Sequence, residues 1–135
     1  LKSRSKYSTD IEILGKVSYE NGTKLYNECE IFTTHNMKGN LSNQIEAYGV
    51  TFLEAIGAGL PVVTGASGGI KETVIHWQTG FLFNPGNIEQ HAKYLFELGS
   101  NRKLRKKMGL AAYNYVKENF TLKHEKKQLY KILEI

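Results

Sequence analysis

Four short apolar runs, separated by longer polar stretches, constrain the fold of this chain more than any other feature. The runs are IEILG (11–15), CEIFTT (29–34), LPVVTG (60–65) and GFLFN (80–84). Their β-branched and aromatic residues predict strands. The stretches 18–28, 50–59 and 70–77 between them have helical patterns. Because strands alternate with helices, the sequence predicts an α/β fold whose parallel sheet is covered by helices on both faces.

The chain is expected to continue as helices from Asn87 to its last residues. Asn87 and Gln90, three residues apart, predict a capping box at the first of these helices. A chain of 135 residues that is 41% hydrophobic has the size and core of one domain. We therefore treat residues 1–135 as a single domain.

The net charge of +5 is concentrated in RKLRKK (102–107) and KHEKK (123–127). Such a basic surface can bind phosphorylated ligands or anionic lipid, but solvated faces of C-terminal helices are its commoner explanation. No recognised nucleic-acid motif accompanies the charge, so a nucleic-acid partner is not expected. Because Asp10 is the single aspartate, a DxD metal-binding pair is impossible within this chain. The four histidines are scattered, and we expect neither a metal site nor a cofactor.

The single cysteine, Cys29, cannot form an internal disulfide and fits a reducing compartment. Its position beside a predicted strand indicates a small buried side chain. No apolar run is long enough to span a membrane, and no signal-peptide pattern opens the chain. We therefore expect a cytoplasmic location, with peripheral contact at the inner face of a membrane as the alternative.

The stretch EAYGVTFLE (46–54) places two carboxylates on either side of a predicted helix start. Gly49 permits a tight turn, and the first amides of the helix, at Val50 and Thr51, form a site for phosphate. Glu46 precedes the turn and Glu54 lies about one helical turn inside. In a parallel sheet, ligands bind where strands enter helices. One carboxylate could then bind a sugar and the other a ribose, with a diphosphate between them.

Each of these residues also has an ordinary explanation when it is considered alone. Glu54 could be a first-turn glutamate stabilised by the helix dipole, and Glu46 could be a surface loop residue. The turn at Gly68 and Gly69 could be a simple connection between a strand and a helix.

The longer string EAYGVTFLEAIGAGLPVVTGASGGIKETV resembles the donor-binding C-terminal domain of GT-B glycosyltransferases, in family 4. That family pattern is E-x-[FY]-G-[ILV]-x-x-x-E-A-x-A-x-G-x-P-V, followed by a strand and GG-x-x-E. The matching positions are Glu46, Tyr48, Gly49, Val50, Glu54, Ala55, Gly59, Pro61, Val62, Gly68, Gly69 and Glu72. Gly57 stands where alanine is usual. The resemblance extends over about residues 11–120 and implies a Rossmann-like parallel sheet.

The resemblance also implies the roles of the site residues. Glu46 is expected to contact hydroxyls of the transferred sugar and to be the catalytic residue. Glu54 is expected to bind the ribose of a donor such as a UDP- or GDP-sugar. The remaining donor-binding positions that it implies are Tyr48, the backbone of Gly49, Val50 and Thr51, the base-side Gly15, Lys16 and Val17, and Gly68 and Gly69. No metal is expected, since GT-B enzymes do not rely on a DxD-bound ion.

On the same basis, the chain is expected to be an N-terminally truncated donor domain without its acceptor-binding domain. The whole protein would be a retaining hexosyltransferase that acts on a glycan or lipid-linked acceptor in surface polysaccharide or glycolipid synthesis. The fragment alone would be inactive. A non-catalytic nucleotide-sugar-binding or assembly module remains the alternative. The loop 34–45 offers His35, Lys38 and Asn40 as further contacts, or is simply solvated.

Overall fold

The computed structural model describes residues 10–35 and 49–133. Within them, a parallel sheet of three strands is flanked by helices on both faces. The elements in chain order are α1 (Tyr19–Glu28), β1 (Phe32–Thr33), α2 (Val50–Gly57), β2 (Val62–Gly65), α3 (Ile70–Thr73), β3 (Gly80–Phe83), α4 (Ile88–Ser100), α5 (Arg102–Asn119) and α6 (Leu122–Leu133). The predicted fold class, a Rossmann-like parallel sheet flanked by helices, is confirmed.

The sheet has the strand order β1-β2-β3, in which β2 is central and buried throughout. Phe32 pairs with Val62, and Val62 in turn pairs with Gly80. Alternate residues of a strand point to opposite faces, so Val62 and Val63 belong to different cores. The core on the α2 face contains Phe52, Ile56, Val62, Ile70, Val74 and Ala112. The core on the α4 face contains Val63, Phe81, Phe83, Leu98 and Met108.

Helix α5 contributes Ala112 to the first core and Met108 to the second. Gly109 lies between these two residues and allows α5 to approach the turn that follows α2 closely. A Cβ atom at residue 109 would lie 2.2 Å from the carbonyl oxygen of Gly59. A side chain at this position would therefore push α5 away from both cores.

The first predicted strand, 11–15, is not formed. These residues are irregular, and Ile13 is 60% exposed. A strand needs a partner for its hydrogen bonds, and among the described residues no strand pairs with this segment. The prediction of a strand at 11–15 is therefore wrong for the described structure.

The helix predicted at 70–77 ends at Thr73. Val74 is extended, and His76 forms an isolated parallel bridge with Gly80. Trp77 has a positive φ of 67°, and its amide donates to the carbonyl of Gly80 at 2.9 Å. The ring of Trp77 packs edge-on against Phe81, with 4.8 Å between centroids. A tight turn thus replaces the second half of the predicted helix.

Cys29 is exposed, so the prediction of a buried thiol is wrong. The residue is the C-cap of α1 rather than part of β1, which begins at Phe32. In the described ranges, no helix is both long and apolar enough to cross a membrane.

Candidate functional site

Helix α2 begins at Val50, as the sequence predicts. Gly49 precedes it in the left-handed conformation, with φ 69° and ψ 64°. A Cβ atom at residue 49 would lie 2.3 Å from the ring of Phe52, so both the backbone angle and the available space require glycine. No side chain of the described residues caps this helix. The amide of Phe52 donates to the carbonyl of Gly49 at 2.9 Å. Val50 is 64% exposed, and the positive end of the helix dipole favours an anion near the amides of Val50 and Thr51.

Glu54 lies one turn further along α2 and is half-buried. Its Oε2 accepts a hydrogen bond from the hydroxyl of Tyr26 on α1, at 3.2 Å. Burial, and next the charge of Glu54 and this hydrogen bond, raise the pKa of Tyr26 above its ordinary value. The carboxylate borders a cavity of about 280 Å³, lined by Tyr19, Thr23, Tyr26, Asn27, Glu54, Gly57 and Ala58.

The turn at Gly68 and Gly69 follows the carboxyl end of β2. This end of β2 lies next to the carboxyl end of β1, after which the chain continues to α2. Gly68 has a positive φ of 52°, and Gly69 is the N-cap of the short helix α3. Helices α2 and α3 pack against each other. The turn and the start of α2 therefore lie at the same edge of the sheet, as predicted.

The base-side residues lie before α1, where Gly15 has a positive φ of 68°. Lys16 and Val17 line a cavity of about 340 Å³ together with Leu14, Asn21, Lys24, Leu25 and Glu28. This cavity shares no lining residue with the one that Glu54 borders. Among the cavities lined by described residues, Lys16 and Val17 thus border a different one from Glu54.

Glu46 and Tyr48 lie outside the described residues, as do Lys38 and Asn40. The roles implied for them remain predictions. His35 is described, and it follows the carboxyl end of β1.

A histidine pair that the sequence did not indicate lies at this edge of the sheet, on the α4 face. His35 Nδ1 lies 2.9 Å from His91 Nδ1, and His91 Nε2 lies 2.6 Å from Thr33 Oγ1. Because Thr33 donates its hydroxyl proton to Val63 at 2.8 Å, it accepts from His91 Nε2. His91 Nδ1 then accepts from His35. Burial, and secondly the His35 ring, lower the pKa of His91. No sequence pattern reveals the pair, since 56 residues separate its members.

Among the charged residues of the basic segment 102–107, Arg105 has a structural role. Arg105, whose side chain is only 11% exposed, donates to the carbonyl of Leu98 at 2.6 Å and forms an ion pair with Glu30 at 2.9 Å. It also donates to the carbonyl of Gly99. Arg105 therefore stabilises the end of α4 and is not a free surface charge.

Solved structures of glycosyltransferases share this fold. The structure of HepE from Anabaena in complex with UDP and glucose superposes with a TM-score of 0.76 at 23% identity. The match covers 91% of this chain and 31% of HepE. The sheet and helices are those of the C-terminal domain of a GT-B glycosyltransferase.

A family model described as "Glycosyl transferases group 1" matches residues 3–115, and the chain belongs to this family. The sulfoquinovosyl transferase SQD2 of Arabidopsis thaliana is 40% identical over 75 residues, covering 53% of this chain and 15% of that protein. A GDP-mannose-dependent monoacylated α-(1-6)-phosphatidylinositol monomannoside mannosyltransferase of Corynebacterium glutamicum is 27% identical over 127 residues. That match covers 94% of this chain and 33% of the relative, so the chain spans a third or less of these two proteins.

Proposed function

We propose that this chain is the donor-binding part of a retaining family 4 glycosyltransferase that transfers a hexose from a nucleotide sugar. The observation that carries the proposal is the arrangement at α2. A helix start that no side chain of the described residues caps, entered through Gly49, lies one turn from the half-buried carboxylate of Glu54, which borders a cavity. The helix start suits a diphosphate, and the carboxylate suits the hydroxyls of a ribose.

The remaining roles complete the proposed site. Glu46 contacts the transferred sugar and is the catalytic residue, with Tyr48 beside it. Gly68 and Gly69 line the donor cleft, and Gly15, Lys16 and Val17 lie on the side of the nucleobase. The acceptor is a glycan or a lipid-linked sugar, and a separate N-terminal domain of the whole protein binds it. The relatives that transfer sulfoquinovose, or mannose to a phosphatidylinositol glycoside, support a role in glycolipid or surface polysaccharide synthesis.

The test uses the complete protein that contains this chain. Titration calorimetry with UDP, GDP and ADP first identifies the nucleotide that the wild-type protein binds. Glu54→Gln is then expected to weaken the binding of that nucleotide by roughly tenfold or more. The reason is that an amide replaces a charged hydrogen-bond acceptor. Glu46→Gln is expected to abolish sugar transfer while leaving the affinity for the nucleoside diphosphate unchanged. Unchanged transfer in both variants would instead support a non-catalytic binding or assembly module.

We also propose that the protein makes peripheral contact with the anionic inner face of a membrane. Helix α6 exposes apolar residues, with Leu122 84% and Ile132 76% exposed, and carries lysines at 123, 126, 127 and 131. Basic amphipathic helices bind such surfaces. Charge reversal at Lys123, Lys127 and Lys131 on α6 should reduce co-sedimentation with anionic vesicles, and so should reversal at Lys103, Lys106 and Lys107 on α5. Arg105 is left unchanged because it holds the end of α4. Co-sedimentation that neither reversal changes would contradict membrane contact through these helices.

A further inference from the structure

Tyr26 forms the only hydrogen bond that joins α1 to the proposed site within the described ranges. Its hydroxyl lies 3.2 Å from Glu54 Oε2, and the two residues are 28 positions apart in the chain. Both side chains line the same cavity. The contact therefore belongs to the tertiary structure of the site and not to a local turn.

The direction of this hydrogen bond is fixed by the chemistry of the two groups. An ionised carboxylate only accepts hydrogen bonds, so the phenol must donate. The raised pKa of Tyr26 keeps its proton in place at neutral pH. One oxygen of Glu54 is thereby engaged, and the carboxylate still has acceptor capacity for ligand hydroxyls.

The ring of Tyr26 is held by a chain of aromatic contacts that ends at the start of α2. It packs edge-on against Phe32, with 6.0 Å between centroids, and Phe32 packs in the same manner against Phe52 at 5.4 Å. Phe52 is the residue whose ring lies against Gly49. The phenol is therefore fixed relative to both the helix start and Glu54.

We propose that Tyr26 is a positioning residue that orients the carboxylate of Glu54 towards the ribose hydroxyls of the donor nucleotide. This inference rests on the ribose-binding role proposed for Glu54. Without the hydroxyl, the glutamate would sample other rotamers, and ordering it would oppose binding. Phenylalanine at position 26 would preserve the aromatic contacts and remove only the hydrogen bond.

The experiment measures the affinity of the complete protein for its nucleoside diphosphate, UDP or GDP, and for the 2′,3′-dideoxy form of the same nucleotide. Tyr26→Phe is expected to weaken binding of the ribonucleotide roughly three- to tenfold. It should leave the affinity for the dideoxy form unchanged, because that form lacks the hydroxyls that Glu54 binds. Tyr113→Phe on α5 is the matched control and should change neither affinity. In the Glu54→Gln background, Tyr26→Phe should add little.

Equal weakening of both nucleotides would show a purely structural role for Tyr26 and would overturn the inference. So would no change in either affinity. If Tyr26→Phe does not fold, Tyr26→His replaces it. Partial or complete loss of the preference for the ribonucleotide, with unchanged affinity for the dideoxy form, would support the inference. An unaltered preference would overturn it. The proposed function fails separately if Glu54→Gln does not reduce the preference for the ribonucleotide, or if no nucleotide binds to the wild type.

Discussion

The starts of the helices are built in two different ways. Four of them carry a capping side chain, in which Ser18, Asn87, Asn101 and Thr121 each accept a hydrogen bond from the amide three residues later. Helices α2 and α3, which lie in the crossovers between strands, begin instead at Gly49 and Gly69, and no side chain caps them among the described residues. Each capping side chain satisfies one amide of its helix, whereas at the start of α2 no side chain of the described residues does so.

Asn87 and Gly49 show most clearly what this difference teaches. Asn87 Oδ1 accepts from the amide of Gln90 at 2.9 Å. The side chain of Gln90 accepts from the amide of Asn84 at 3.0 Å, so only half of the predicted capping box forms. At α2, glycine provides no side-chain cap, and its missing Cβ leaves room for the ring of Phe52. Capping thus separates a helix that supports the fold from one that serves the proposed site.

The largest expected effect comes from adding a methyl group at Gly49, the residue before α2. Gly49→Ala should destabilise the protein by about 1–3 kcal/mol, because alanine is strained in the left-handed region and would meet Phe52. The displaced turn should also weaken nucleoside diphosphate binding by roughly tenfold or more, since the amides no longer converge on the ligand. Urea denaturation and titration calorimetry measure the two effects.

Gly22→Ala is the control for this substitution. A Cβ atom at residue 22 would meet nothing within 4 Å, and the residue lies inside α1. Alanine there should be neutral or stabilising by up to about 1 kcal/mol, with unchanged affinity. A Gly49→Ala variant that behaves like Gly22→Ala would remove the distinction between the two kinds of helix start.

A smaller effect is expected from opening a capped start. Asn87→Ala should lower the free energy of unfolding by about 1 kcal/mol, because the amide of Gln90 loses its acceptor. Nucleotide affinity should not change. Asn114→Ala, at an exposed position on α5, should alter stability by less than about 0.5 kcal/mol. Impaired nucleotide binding in Asn87→Ala would mean that α4 takes part in the site.

The smallest effect concerns His91 in the first turn of α4. Its pKa in the folded state is lowered, first by burial and then by His35. The unfolded chain therefore binds more protons below about pH 6.5, and stability falls as the pH falls from this value. His91→Leu should flatten this dependence in thermal melts between pH 7.5 and about pH 5. Burial also lowers the pKa of His76, so part of the pH dependence should persist in this variant.

Thr33→Val separates the titration of His91 from its hydrogen bond. The variant removes the acceptor of His91 Nε2 and should lower stability by about 0.5–1.5 kcal/mol, while the imidazole and the pH dependence persist. An unchanged pH dependence in His91→Leu would assign the effect to other groups.

The sequence predicted those parts of the fold that depend on neighbouring residues. Ser18 caps α1, Val50 begins α2 and Asn87 caps α4, because a cap depends on residues three or four apart. Strands β2 and β3 lie inside their predicted runs. The run 11–15 failed as a strand because strand formation requires a partner that is distant in the chain, which no local pattern reports.

The candidate site divides in the same way. The positions of Gly49 before α2 and of Glu54 on it were predictable from the sequence, since they depend on one helix and its entry turn. Their ligand roles stay predictions. Tyr26 and His91 were missed, because their partners lie 28 and 56 residues away and only the folded sheet brings them together. Tyr26 carried one indirect signal, because together with Leu25 it interrupts the polar stretch 20–28.

Trp77, in the turn before β3, is an intrinsic fluorescent probe of unfolding. Trp77 is the single tryptophan, and it packs edge-on against Phe81 of β3 and against His76. Neither of the two cavities proposed for the donor is lined by it. Its fluorescence will therefore follow the loss of packing around β3 during unfolding, without an added label and without direct quenching by a nucleotide at α2.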